Sequence, residues 1–189
     1  MGCQNGALRP GRWSAEVTIR SLGTKTPKIA ATAWVSEAAY VVGDVNLGDG
    51  SSVWPGAVLR GDFGAIKVGA HTVIEDNCVV HTGERVSIGD NNIIGHGVIV
   101  HCARVGSNCL IGNHAVLLDD AVIGDYCLVA AGSLVLGRTV VPDRSFVAGS
   151  PATIEPIPDR YLQRLERQAT PNAEGGYDMM ARRYRDAGL

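Results

Sequence analysis

The run from Val105 to Val147, broken into sixes, reads VGSNCL IGNHAV LLDDAV IGDYCL VAAGSL VLGRTV VPDRSF V, and every block opens on an aliphatic residue: Val105, Ile111, Leu117, Ile123, Val129, Val135, Val141 and Val147. The rhythm extends backwards. Steps of six from Val35 give Val41, Leu47, Val53 and Leu59; a nine-residue step leads to Val68, Ile74 and Val80; an eight-residue step leads to Ile88, Ile94 and Val100; a five-residue step then reaches Val105. All 19 of these positions are Val, Leu or Ile. Glycine follows several of them directly, as at Gly48, Gly69, Gly106 and Gly124, where a chain with this period must turn sharply.

A six-residue aliphatic period is the pattern of a parallel β-helix of hexapeptide repeats. Each hexapeptide supplies one short strand and one corner, three make a triangular coil, and the repeated side chain points into the prism. Coils stack at about 4.8 Å, so each buries its aliphatic residues on the next. The expected fold class is therefore all-β, a triangular prism followed by one or more C-terminal α-helices. The general rule for parallel crossovers predicts right-handed winding. We divide the chain into an N-terminal segment with a short strand (1–29), a hexapeptide-repeat domain (30–155) and a C-terminal helical segment (156–189). Residues 1–14 read as loose, and Glu16–Arg20 alternates as a strand would. Gly149-Ser-Pro-Ala152 closes the repeat, and Pro156 and Pro158 end strand-like structure. Asp159 can cap a helix carrying Tyr161, Leu162, Leu165 and Ala169, broken at Thr170-Pro171; a second helix has Tyr177, Met180, Ala181 and Tyr184 on one face.

Composition narrows the function classes. The 189 residues are 46% hydrophobic, enough for a core, and 17 Lys plus Arg against 19 Asp plus Glu give a net charge of -2. That balance offers no electrostatic reason to bind nucleic acid or an acidic membrane, which leaves a small-molecule substrate. No run of about 18 apolar residues is present, so no transmembrane helix is expected. Gly6 stands where a myristoylation signal wants Ser or Thr, and the N-terminus lacks the apolar stretch of a secretory signal; Arg9, Arg12 and Arg20 make only a sparse transit-peptide pattern. Five cysteines, Cys3, Cys78, Cys102, Cys109 and Cys127, are an odd number without CxxC spacing, which fits a reducing cytoplasm. Cys109 and Cys127 fall at one position of adjacent coils, within reach of a disulfide or packed as small buried thiols.

The histidines carry the chemistry. Asn77 to His101 reads NCVVHTGERVSIGDNNIIGHGVIVH and holds His81, His96 and His101. Val80 and Val100 open hexapeptides one full coil apart, so His81 and His101 are neighbouring rungs of one ladder, with Arg60 on the rung before. His96 lies on another face, above Asp76. Two imidazoles can hold a metal at about 2.0–2.1 Å, and an open catalytic site of this kind usually takes a third protein ligand. Since His96 faces elsewhere in its own chain, the economical arrangement is a homotrimer in which the second ladder of one prism packs against the first ladder of its neighbour. His71 and His114, at corners, read as surface residues.

These residues resemble the γ-class carbonic anhydrases over roughly residues 30–155. Leu59-Arg-Gly-Asp62, Glu75-Asp-Asn-Cys-Val-Val-His81 and Gly95-His-Gly-Val-Ile-Val-His101 carry the likeness. The resemblance implies left-handed winding, against the general crossover rule. It also implies Zn²⁺ (or Fe²⁺ or Co²⁺) on His81 and His101 with His96 of the adjacent subunit, and a supporting part for Arg60, Asp62 and Asp76. The implied reaction is reversible hydration of CO₂ to bicarbonate, in which the metal lowers the pKa of water towards about 7 to give the attacking hydroxide. The chain departs from the archaeal pattern in two places. Phe63-Gly64 replaces an acidic proton-shuttle loop, and Glu75 stands where that pattern has glutamine, so this carboxylate orients water differently or acts as a base. Glu84 matches an acidic position of the family and suits either a proton relay or a solvated turn. Arg60 with Asp62 suits either a structural ion pair sealing the trimer or a catalytic part. Acyl-CoA-linked chemistry is the rival, because hexapeptide solenoids also build acyltransferases; the inserted loops here, three and two residues long, leave no room for a long loop bearing a catalytic histidine. A non-catalytic metal-binding scaffold subunit is a third reading.

Overall fold

The six-residue period resolves into three columns of inward side chains in the computed structural model, which describes residues 18–168 and 176–188. Parallel pairing links Val35, Val53, Ile74, Ile94, Ile111, Val129 and Val147 on the first face. It links Val41, Leu59, Val80, Val100, Leu117 and Val135 on the second. On the third it links Leu47, Val68, Ile88, Val105, Ile123 and Val141, with Ile29 beside Leu47. Every one of the 19 periodic residues is thus placed, and all but Val35 are fully buried. The result is a parallel β-solenoid of about 7 turns with two C-terminal helices.

The three irregular steps of the sequence all fall on one corner, between the second and third faces: Leu59 to Val68, Val80 to Ile88 and Val100 to Val105. The first of them is spanned by a continuous strand, Val58–Val68, whose register against Tyr40–Leu47 shifts between Gly43 and Val45 as Asp62–Ala65 bulge outward. Close stacking makes Gly64 obligatory here, because a Cβ would sit 1.5 Å from the Glu84 carbonyl oxygen of the next coil.

One edge of the prism is stapled by buried side chains rather than by backbone alone. Ser51 accepts from the Thr72 amide, Thr72 from Asn92, Asn92 from Cys109 and Cys109 Sγ from Cys127. Thr72, Asn92, Cys109 and Cys127 each donate in turn to a carbonyl one coil further on, at Gly89, Gly106, Gly124 and Pro142. This polar spine satisfies backbone groups that the corner would otherwise bury unpaired. Cys78, Cys102, Cys109 and Cys127 are all buried and none is in a disulfide, so the Cys109 and Cys127 pair is packed rather than bridged. Cys3 lies outside the described residues.

The first face is covered. The helix α1 (Asp159–Gln168) seats Leu165 against Leu128 and Ile157, with Leu110, Phe146, Tyr161 and Leu162 around it. The helix α2 (Tyr177–Asp186) lays Tyr177, Met180, Ala181 and Tyr184 on Trp34, Trp54 and Val73, the face its sequence pattern indicates. Ala169 and Thr170-Pro171 lie outside the described residues, as do residues 1–17. Of the N-terminal segment, Ile19–Arg20 and Lys28–Ile29 form strands, each pairing with Tyr40–Leu47. After Val147 the chain does more than stop: Ser145–Gly149 pairs antiparallel with Ala152–Pro156, a hairpin strand the sequence reading did not anticipate. Pro156 is its last residue, as expected of a residue with no N–H to donate.

The second face differs from the first. Its outward column, Tyr40, Val58, Val79, Ile99, Val116 and Leu134, is aliphatic or aromatic throughout and each member keeps partial exposure. Both described helices pack on the first face instead.

Candidate metal centre

Strand register builds the first ladder at the irregular corner. Arg60 pairs with His81 across adjacent strands, and the rings of His81 and His101 stand one rung apart with centroids separated by 5.3 Å. A carboxylate flanks each end of the pair. Asp62 Oδ1 lies 2.9 Å from His81 Nε2, and Asp119 Oδ1 lies 3.0 Å from His101 Nδ1. Each imidazole therefore has one nitrogen oriented by a carboxylate and one left over, Nδ1 on His81 and Nε2 on His101; carboxylate backing of this sort fixes ring and tautomer for metal binding.

Asp62 is the most heavily engaged acid of the corner. Its carboxylate accepts from the Phe63 amide at 2.9 Å and from the Arg60 guanidinium, while Lys25 donates to the Asp62 and Phe63 carbonyls at 2.6 and 3.0 Å. Desolvation, the largest single influence, opposes ionisation of Asp62, but the Phe63 amide, the Arg60 and His81 hydrogen bonds and the Arg60 charge together outweigh it and hold the carboxyl at about 2. Glu84 sits exposed on the same corner one coil on, backbone against Gly64, and Phe63 is 73% exposed with its ring edge-on to His81.

The second ladder lies on a different part of the prism. His96 is half exposed, with Nδ1 at 3.1 Å from Asp76 Oδ2 and Nε2 at 3.3 Å from Glu75 Oε2. Glu75 is buried, and its Oε1 accepts a hydrogen bond from the Tyr177 hydroxyl of α2. Burial, and then the neighbouring Glu75, push the Tyr177 phenol well above its ordinary value, so it stays a donor. Cys78, behind this ladder, donates to the Gly95 carbonyl and is raised to about 12 by burial, which keeps it a thiol.

Among the described residues of one chain, no three His, Cys, Asp or Glu side chains converge as a metal-binding group. The arrangement brings Arg60, Asp62, His81 and His101 together on one corner and Glu75, Asp76 and His96 together on another. A pair of oriented imidazoles with a third imidazole displayed elsewhere fits a metal only if a second chain supplies the missing ligand. His71 and His114 take left-handed corner conformations, at φ 52° and 58°, with their rings over Gly50 and Gly97. His71 also meets Asp178 of α2 at 3.3 Å.

Two participants escaped the sequence reading. Asp119 lies on the coil after His101, two residues after the inward Leu117; the ladder's own offset falls on Leu118, so the six-residue count does not pick Asp119 out. Tyr177 was read only as part of an apolar helix face; nothing in the sequence links it to Glu75, 102 residues away in the chain.

Comparison with known proteins follows the same lines. The bacterial transferase hexapeptide (six repeats) pattern matches residues 102–137. Gamma carbonic anhydrase 3, mitochondrial, of Arabidopsis thaliana is 41% identical over 103 residues, covering 50% of this chain and 40% of the relative. A carbonic anhydrase of Geobacillus kaustophilus is 39% identical over 90 residues, covering 47% of this chain and 50% of the relative. The chain thus spans half or less of the length of these curated relatives. Among solved structures, a proposed acetyltransferase of Bacillus cereus superposes with a TM-score of 0.82 at 29% identity, covering 90% of this chain and 98% of that one. A hexapeptide transferase family protein of Anaplasma phagocytophilum superposes with a TM-score of 0.81 at 34% identity, covering 89% of this chain and 98% of the other. The chain belongs to the hexapeptide transferase family, and its matched relatives are consistent with the γ-class carbonic anhydrases among those proteins.

Proposed function

We propose that this protein catalyses the metal-dependent, reversible hydration of CO₂ to bicarbonate, at sites shared between neighbouring chains of a homotrimer. The observation that carries the reading is the split donor set: two imidazoles on one corner, each with one nitrogen against a carboxylate, and a third on another, His96, with Asp76 at Nδ1 and Glu75 at Nε2. His81 and His101 of one chain with His96 of the next would hold Zn²⁺, or Fe²⁺ or Co²⁺. When bound, such an ion supplies Lewis acidity that brings the pKa of water to about 7. The partly exposed apolar column of the second face, Tyr40 to Leu134, on which neither described helix packs, supports a contact with another copy alongside the ladder. The names of the curated relatives support the reaction.

The chain's own residues divide the remaining work. Arg60 holds Asp62, Asp62 and Asp119 set the rings of His81 and His101, and Asp76 sets His96. Glu75 places a carboxylate oxygen beside Nε2 of His96, where it orients water or takes a proton from it. Glu84, exposed on the same corner as the first ladder, passes the proton outward. Phe63-Gly64 offers no acid for this step, so proton release falls to Glu84 and to buffer. No described helix is long and apolar enough to cross a membrane, and four buried thiols suit a reducing compartment such as the cytoplasm.

The acyltransferase reading keeps one specific support, the solved relative described as an acetyltransferase. Stopped-flow CO₂ hydration on anaerobically prepared, metal-analysed protein, run beside a panel of acyl-CoA substrates, separates the two. Hydration that rises with buffer concentration supports the proposal. No hydration at any buffer strength, with thioester turnover lost in His81→Ala, replaces it with CoA chemistry; inactivity in both leaves a metal-binding scaffold.

A further inference from the structure

We infer that Tyr177 is a positioning residue of the metal centre: from α2 it fixes the Glu75 carboxylate and, through it, the ring of His96. The inference rests on the metal-centre reading above and deepens it. Glu75 is 5% exposed, and a carboxylate that far from water needs a partner on each oxygen. Tyr177 donates to Oε1, which leaves Oε2 facing His96 Nε2 at 3.3 Å. The phenol is itself held at both ends. Its ring meets Trp54 edge-on with centroids 6.1 Å apart, and α2 is tied down beyond it by the Asp178 to His71 contact and by Arg185, which donates to the Thr32 carbonyl at 3.1 Å. Tyr177 therefore cannot follow Glu75 if the carboxylate turns. Glu75 must stay with the phenol, and the oxygen it presents to His96 stays in place.

The consequence is that the C-terminal helix is a working part of a centre whose other residues all come from the solenoid. Phenylalanine at 177 keeps the ring and its packing on Trp54 while removing only the donor. Glu75 then loses its fixed partner, and both its orientation and the state of His96 change.

The test compares wild type, Tyr177→Phe, Glu75→Ala and the double variant, all as the full chain. Trp fluorescence first checks that α2 remains on Trp34 and Trp54. In metal-free protein at fixed pH, Tyr177→Phe is expected to shift the ring-nitrogen resonances of His96 and leave those of His101 in place. With Zn²⁺ as the probe, it is expected to weaken binding or lower kcat by about tenfold, the lower end for losing a partner behind a ligand, with KM for CO₂ unchanged. In the Glu75→Ala background the same change should have no further effect. Unmoved His96 resonances, or an equal loss with and without Glu75, would overturn the inference. Should the wild type hydrate no CO₂, the proposed reaction fails, while the resonances and zinc affinity still decide the role of Tyr177.

Discussion

His81 and His101 stand 20 residues apart in sequence and one rung apart in space, their ring centroids 5.3 Å apart, with Asp62 beyond one and Asp119 beyond the other. Four side chains from three coils and an inserted loop so make one row. Register brings the two imidazoles together, while the acids reach them from the outward bulge at Asp62 and from one position past the ladder at Asp119.

Replacing His81, His96 or His101 by Ala should each remove most bound zinc and leave the β signal in circular dichroism intact. The core columns are aliphatic and bury their side chains on one another, so the fold does not depend on the site. Full zinc occupancy in all three variants, by elemental analysis, would refute the assignment.

Lysine at Val79 or Ile99 should break the assembly. Both sit outward on the second face beside the ladder, and an ammonium group placed there would be desolvated against another chain. Sedimentation is expected to show monomers in place of trimers, with zinc lost in parallel; a trimer unaffected by both changes would move the interface elsewhere.

The ladder itself was legible in the sequence because the period is strict where it matters. Once Val80 and Val100 are assigned to one column, His81 and His101 cannot avoid meeting, and His96 cannot join them. Asp76 under His96 came from the same arithmetic. What the period could not supply was anything reached by a folded-back tail or a long side chain. Tyr177 arrives on a helix with no periodic relation to the coils, and Lys25 reaches the Asp62 carbonyl from a segment before the repeat begins. The antiparallel strand Ala152–Pro156 was missed for a related reason: its residues stay mostly exposed, so it carries no aliphatic alternation to read.

Asn92→Ala should cost about 2–4 kcal/mol of stability, since it leaves the Cys109 amide and the Gly106 carbonyl buried without their partners. Thermal or urea unfolding measures it. Cys109→Ser, which keeps both a donor and an acceptor at its point of the spine, should cost less; equal losses would show that the spine fills space rather than satisfying polar groups.

Asp62 gives a pH signature. Its carboxyl is held at about 2 against an ordinary 3.8, so the folded value is the lower one. Its contribution to stability is complete above about pH 4, where the unfolded chain also ionises it, and disappears as pH falls towards 2. The difference in urea midpoint between wild type and Asp62→Asn should therefore close over that window and shrink with added salt. A constant difference across it would mean that the charge is immaterial.

The stacking of three irregular turns on one corner also says where this protein tolerates change in length. Beyond Asp119 the inward columns repeat every 18 residues, as from Ile123 to Val141 and from Val129 to Val147. A whole coil added or removed there shortens or lengthens the prism without altering the distance between any two groups of the first ladder. Between His81 and His101 no such unit exists, because a coil inserted there would part the two rings by about 4.8 Å more. The protein thus has a fixed end, whose spacing its chemistry dictates, and an adjustable end that can grow or shrink in steps of one turn.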